Sequence, residues 1–94
     1  MKIQTPRGSI ELSEELFWDI DINRASSVVD TNPHWTLPRI FEYGSLKEIA
    51  DITKYYGEEQ SKRILTEQKA ELKPMTKAMA HVFLDIELRD YKEV

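Results

Sequence analysis

Cysteine is absent from the 94-residue chain, which excludes disulfides, thiol nucleophiles and thiolate metal sites together. Glycine occurs only three times, and none of the three belongs to a phosphate-cradling run. Neither a G-x-S-x-G elbow nor an H-E-x-x-H pair is present. With no catalytic constellation and no cofactor motif, the sequence reads as a non-enzyme that needs no cofactor. His34 and His81 are the two histidines, and without cysteine they form a tetrahedral zinc site only if carboxylates join them. Long apolar runs are also missing. The longest, residues 78–84, is broken by His81 and falls far short of the roughly 20 residues that span a bilayer. The first fifteen residues carry Pro6, Gly8 and three acids with no stretch suited to a secretory leader, so no membrane association and a cytoplasmic location are expected. Positive charge is in deficit: 13 Lys and Arg stand against 17 Asp and Glu, a net charge of −4. Grip on nucleic acid comes from neutralising phosphates, so this balance handicaps a DNA or RNA binder.

Apolar residues make up 40% and charged residues 32%, a globular composition in a length that suits one core. The expected organisation is an extended arm over residues 1–12 followed by a single helical domain over 13–94. No run alternates long enough to demand a sheet. A first short helix is expected over 14–19, with Leu16, Phe17 and Ile20 inward and Trp18 pointing elsewhere. Residues 21–34 concentrate turn formers around Val28 and Val29 and read as a loop with at most one helical turn. Thr36 and Pro38 resemble a cap and an early helical proline, giving a second helix over 37–43 that Gly44 ends. Ser45 and Glu48 form an S-x-x-E capping box. The third helix then carries Leu46, Ile49, Ile52 and Tyr56 on one stripe and stops at Gly57. A fourth runs from Glu58 through Ile64, Leu65, Gln68 and Leu72 to Pro74. In the fifth, Met75, Ala78, Met79, Val82, Phe83 and Ile86 match the helical template, and this helix is expected at the centre of the core, with Met79, Val82 and Phe83 buried. The tail 87–94 is expected to fray or to prolong it. The fold class is therefore all-α: a compact bundle of four to five short helices with a helix-turn-helix-like centre.

Three segments in order, Leu16-Phe17-Trp18-Asp19-Ile20-Asp21, Glu42-Tyr43-Gly44-Ser45-Leu46 and Tyr55-Tyr56-Gly57-Glu58-Glu59, give a pattern of "FWD-D" and two "YG" signatures. It resembles a group of small bacterial proteins forming a domain-of-unknown-function family. The resemblance covers about residues 16–86 and implies an antitoxin-like or regulatory protein, similar to partners of nucleotidyltransferase-type toxins encoded in the same two-gene module. It implies no catalytic residues.

Two candidate surfaces emerge. Trp18, Trp35, Tyr43, Tyr55 and Tyr56 are more aromatics than short helices need for packing, and Trp, Tyr and Arg anchor protein interfaces. Adjacent helical residues diverge by about 100°, so Tyr55 and Tyr56 do not both face one core. The expected partner-binding residues are Trp18, Arg39, Tyr55, Tyr56 and Arg63, on one contiguous surface that binds another protein, a nearby-encoded toxin, or a second copy of the chain. The alternative is a helix-turn-helix DNA binder over residues 45–67, reading through Gln60, Lys62, Arg63, Thr66 and Lys69. Against it, Glu58 and Glu59 put negative charge where DNA would approach, so DNA is the less favoured partner. Asp19 and Asp21 bracket Ile20 without a third ligand nearby, which suits turn capping better than a cation.

Overall fold

The computed structural model describes residues 1–88. Among them, five α-helices form a mostly helical bundle with a β-hairpin at its N-terminal end. The all-α expectation holds, and the hairpin is added to it. Strands β1 (Lys2–Thr5) and β2 (Gly8–Glu11) pair antiparallel, Ile3 opposite Ile10. Ile3, Ile10 and Leu12 are buried. The arm is thus extended but tied into the core. Each strand is four residues long with one fully inward apolar side chain, too short for alternation to be conspicuous in sequence.

Residues Glu14–Phe17 form a 3-10 turn with Leu16 and Phe17 buried, shorter and tighter than the expected first helix. A second 3-10 turn, Ile22–Arg24, is capped by Asp21, whose carboxylate accepts from the Asn23 amide at 3.0 Å. The expected loop then turns out to contain α1 (Ala25–Thr31), with Ala25 and Val29 buried. Its polar residues lie on the outer face, so the composition that suggested a loop is that of a half-exposed helix. Helix α2 spans Pro33–Tyr43, four residues earlier than expected, with Pro33 in its first turn and Pro38 inside. Thr36 is not a cap. It is buried, and its hydroxyl donates to the Asn32 carbonyl at 3.0 Å.

These prolines shape the bundle. Pro33 cannot donate to the Val29 carbonyl, the acceptor an unbroken helix would offer it. The chain breaks at Asn32 (φ −132°, ψ 65°), and the Tyr56 hydroxyl donates to Val29 O at 2.6 Å instead. Pro38 likewise leaves the His34 carbonyl without its amide, and Gln68 Nε2 donates there at 2.9 Å. Both orphaned acceptors are served by side chains from later helices.

The capping box appears as expected: Glu48 N donates to Ser45 Oγ at 3.2 Å and Ser45 N to Glu48 Oε1 at 2.8 Å. Helix α3 (Leu46–Tyr56) buries Ile49, Ile52 and Tyr56, whereas Leu46, expected on the same stripe, is 63% exposed. Gly44 before the box is required sterically, since a Cβ there would sit 2.6 Å from the Ile40 carbonyl oxygen. Gly57 alone links α3 to α4 (Glu58–Glu67) at φ 88°, a conformation that favours glycine. Ser61, Ile64 and Leu65 are buried on α4, and a 3-10 turn, Lys69–Glu71, follows.

Helix α5 (Pro74–Leu84) corrects the expected register. Its buried residues are Thr76, Ala80 and Leu84, while Met75 and Val82 are 63% and 71% exposed and Met79 and Phe83 are half-buried. The helix is apolar nearly all round, so two faces fit the same periodicity. The face with small Thr76 and Ala80 allows the closest approach to the bundle. The central element is α2, which packs against all four other helices. After Asp85, which ends the helix in the left-handed region (φ 53°), Leu88 returns to the core. The rest of the tail, including Tyr91, lies outside the described residues.

The proline–carbonyl exchange is open to a double-mutant cycle. Gln68→Ala should cost about 1 kcal/mol in the native background. In a Pro38→Ala background, where the restored amide serves His34 O, the cost should fall to a few tenths. Chemical denaturation of the four proteins checks this, and equal losses in both backgrounds would refute the coupling.

Candidate partner-docking site

Arg39 organises the first part of the site. Projecting from α2, its guanidinium meets Asp19 with both nitrogens, at 2.8 and 3.0 Å. Its side chain is largely covered. The same group stands 4.4 Å from the Trp35 ring centroid and 5.6 Å from that of Trp18, and Trp35 stacks with Phe17 at 6.3 Å. A bidentate carboxylate and two aromatic rings suit a planar guanidinium and not an ammonium. Trp18 is 75% exposed. The two tryptophans share Arg39.

Beside Trp18, a groove of about 480 Å³ runs between the 3-10 turn Glu14–Phe17 and the α2–α3 junction. Its apolar lining comprises the nearly buried Leu16 and the exposed walls Trp18 and Tyr43, and Glu15 and Glu48 stand among its polar residues. Gly44 contributes no side chain to fill it. Tyr43 is 60% exposed, with Lys73 Nζ 5.7 Å from its ring and paired with Glu42. Leu46, also exposed, begins α3 two residues beyond Gly44. Sequence reasoning placed Leu46 in the core and left Tyr43 out of the interface set. The available signal was position, because a residue directly after an N-cap lies at the helix end, where the core stripe has not begun.

Glu48 joins three segments at this groove. Oε1 accepts from the Ser45 amide, and Oε2 accepts from the Ser13 amide at 2.7 Å. Partial burial works to raise its pKa, and the amides of Ser45 and Ser13 outweigh it, so the carboxyl is held below its ordinary value. The capping half of this role was legible in sequence and the Ser13 half was not.

The remaining expected interface residues lie elsewhere. Tyr55 is half-buried, its hydroxyl bonded to Thr5 Oγ1. Tyr56 is buried, and burial pushes its phenol up to about 12. Both rings lie near Arg7, at 5.9 and 6.0 Å, so they pack against the hairpin turn. Arg63 is exposed on α4. The structure therefore brings Trp18 and Arg39 together and places Tyr55 and Tyr56 at the hairpin.

On the expected DNA-reading face, Arg63 and Thr66 are exposed, Gln60 and Lys62 are half-buried, and Lys69 falls in the following 3-10 turn. Lys62 is paired with Glu58 at 3.0 Å, and Glu67 with His34 at 3.3 Å. Three acids and two bases on α4 leave it without a cationic face, and one linking residue replaces the usual turn of three or four. A second groove, about 440 Å³, is lined by His34, Glu42, Gln68, Lys73 and others. Their mutual pairing makes it a seam between α2 and the segment leading into α5. Among the described residues no three His, Cys, Asp or Glu side chains gather as metal ligands, and no helix is long and apolar enough to cross a membrane.

Glu48 gives the site a pH signature. Its folded pKa is depressed below the unfolded value of about 4.3, so its contribution is complete above that value and is lost as pH falls through the folded pKa. Glu48→Gln should cost about 1–2 kcal/mol near neutrality, and this difference should shrink as the pH falls below the unfolded value of about 4.3 and through the depressed folded pKa. Denaturant midpoints of both proteins across that range check it; a pH-independent difference would contradict the assignment.

The chain has no match among curated proteins and none among solved structures. One family pattern matches residues 12–65, from the end of the hairpin through most of α4, and so includes Trp18, Arg39, Tyr43 and Glu48. It covers more than half of the sequence, and the chain belongs to that family, described as a family of unknown function (DUF6922).

Proposed function

We propose that this protein is a non-catalytic binding module that docks another protein, encoded by a neighbouring gene, on the face of Trp18, Tyr43 and Leu46, and regulates it in an antitoxin-like manner. The observation that carries this reading is the state of Trp18. Its ring is mostly in water, 5.6 Å from a guanidinium that is itself clamped to Asp19. A large aromatic with only two side-chain torsions gives up little entropy on association, which is the quality of an interface anchor. Tyr43 and Leu46 extend the exposed apolar area at the same end of the bundle. The acidic balance of α4 argues for protein over duplex DNA as the partner.

Calorimetric titration against the purified products of the adjoining reading frames tests the proposal. Trp18→Ala should weaken the complex by about 2 kcal/mol or more while the thermal melt of the free protein stays nearly unchanged. Equal affinity with and without Trp18 would remove this face from the account, and salt-sensitive duplex DNA binding would replace the reading outright.

A further inference from the structure

The charges around the groove select among partners. Residues 8–23 hold five acids, Glu11, Glu14, Glu15, Asp19 and Asp21, and no Lys or Arg. No Lys or Arg lines the groove. The nearby cations are each engaged by an acid: Arg39 with Asp19, Lys73 with Glu42, Lys47 with Asp51 at 2.7 Å, and the Met1 ammonium with Glu11 at 2.7 Å. Glu15 and Glu48 carry carboxylates into the groove, and neither forms a salt bridge among the described residues. Glu48 spends its oxygens on neutral amides, and these keep it ionised without cancelling its charge. What results is an apolar lining, two aromatic walls and an edge of two carboxylates that form no salt bridge among the described residues.

Resting on the docking reading above, we infer that the groove takes a basic amphipathic segment of the partner: an apolar side chain seated on Leu16 between Trp18 and Tyr43, flanked by Lys or Arg directed at Glu15 and Glu48. Aromatic faces and carboxylates both attract cations, so the walls and the edge favour the same ligand. A second copy of the chain is a poor occupant, because a two-fold interface on this face would bring two copies of the Glu15 and Glu48 edge, with no Lys or Arg in the lining, into one contact. Nucleic acid is disfavoured at this groove by the same sign of charge.

The test uses three synthetic amphipathic peptides of about twelve residues with one Leu pattern, whose polar positions are Arg and Lys, Gln, or Glu. Binding to the full chain is followed by amide and indole NMR shifts. The basic peptide should bind with the largest shifts at the Trp18 indole and the Gly44 amide, about tenfold or more tighter than the Gln peptide. Added salt should weaken it, and Glu15→Lys should abolish most of the preference. Trp18→Ala, whose fold is verified by its melt, should lose binding of all peptides. Equal binding of the basic and Gln peptides through Trp18 would overturn the charge selection and leave the docking face standing. Shifts that bypass Trp18 and Gly44, or no shifts with any peptide, would overturn both.

Discussion

Two carbonyl oxygens at the α1–α2 junction and in the first turns of α2 hold the bundle to one arrangement. Pro33 and Pro38 each remove the amide that helical geometry would direct at the residue four earlier. An acceptor left buried without a donor is costly, and the Tyr56 hydroxyl of α3 meets that demand at Val29 O, while nearer the surface Gln68 beyond α4 reaches His34 O. The central helix therefore has specific, directional demands on the helices that surround it. Apolar contact alone would allow α3 and α4 to slide or rotate, whereas a hydroxyl and an amide aimed at named oxygens fix both their register and their distance. The small face of α5 then closes the remaining side, Thr76, Ala80 and Leu84 facing inward and Phe83 meeting Phe41 edge-on at 6.4 Å.

The same economy operates at the N-terminal end, where charged groups do the joining. Glu48 serves the start of its own helix and the entry into the first 3-10 turn at once, and Arg39 serves Asp19 while supporting two tryptophans. Both are structural bonds whose by-product is a surface. Holding Ser13 and Asp19 in place positions Trp18 outward, and the need for a bare Gly44 beneath Ile40 opens the groove next to it. The exposed anchor and the joints of the fold are consequently inseparable, which is why the proposed docking face sits where three segments meet and not on the flank of any one helix.

Much of this was written locally. Helix boundaries came from short-range chemistry: the Ser45–Glu48 box, Gly57 as a one-residue link and Pro74 as a divider are all satisfied within a few residues, and the structure places them where the spacing does. The outward direction of Trp18 followed from its offset relative to Leu16 and Phe17. The count and order of the last three helices, and the absence of thiol chemistry, needed no tertiary information.

Other features depended on which surfaces meet. The hairpin forms because Ile3 and Ile10 find a common core, and four-residue strands carry too little pattern to announce it. Helix α1 has an outer face so polar that only its packing against α2 and β1 distinguishes it from a loop. On α5 the apolar residues run nearly all round, so periodicity could not choose between the Met75–Val82 face and the Thr76–Leu84 face; close approach of small side chains did. Tyr55 and Tyr56 share one helix with nothing local to separate their roles, and the hairpin turn with Arg7 claimed both. Arg39 and Asp19, twenty residues apart, meet only because α2 lies against the 3-10 turn, and the groove beside them exists in no segment of sequence taken alone. Sequence determined the boundaries that local capping and turn residues set, at Ser45, Gly57 and Pro74, because those interactions are short-range; the tertiary structure decided the hairpin, the extent of the earlier helices, which faces are buried and where the exposed anchor sits, because burial is a property of pairs of surfaces.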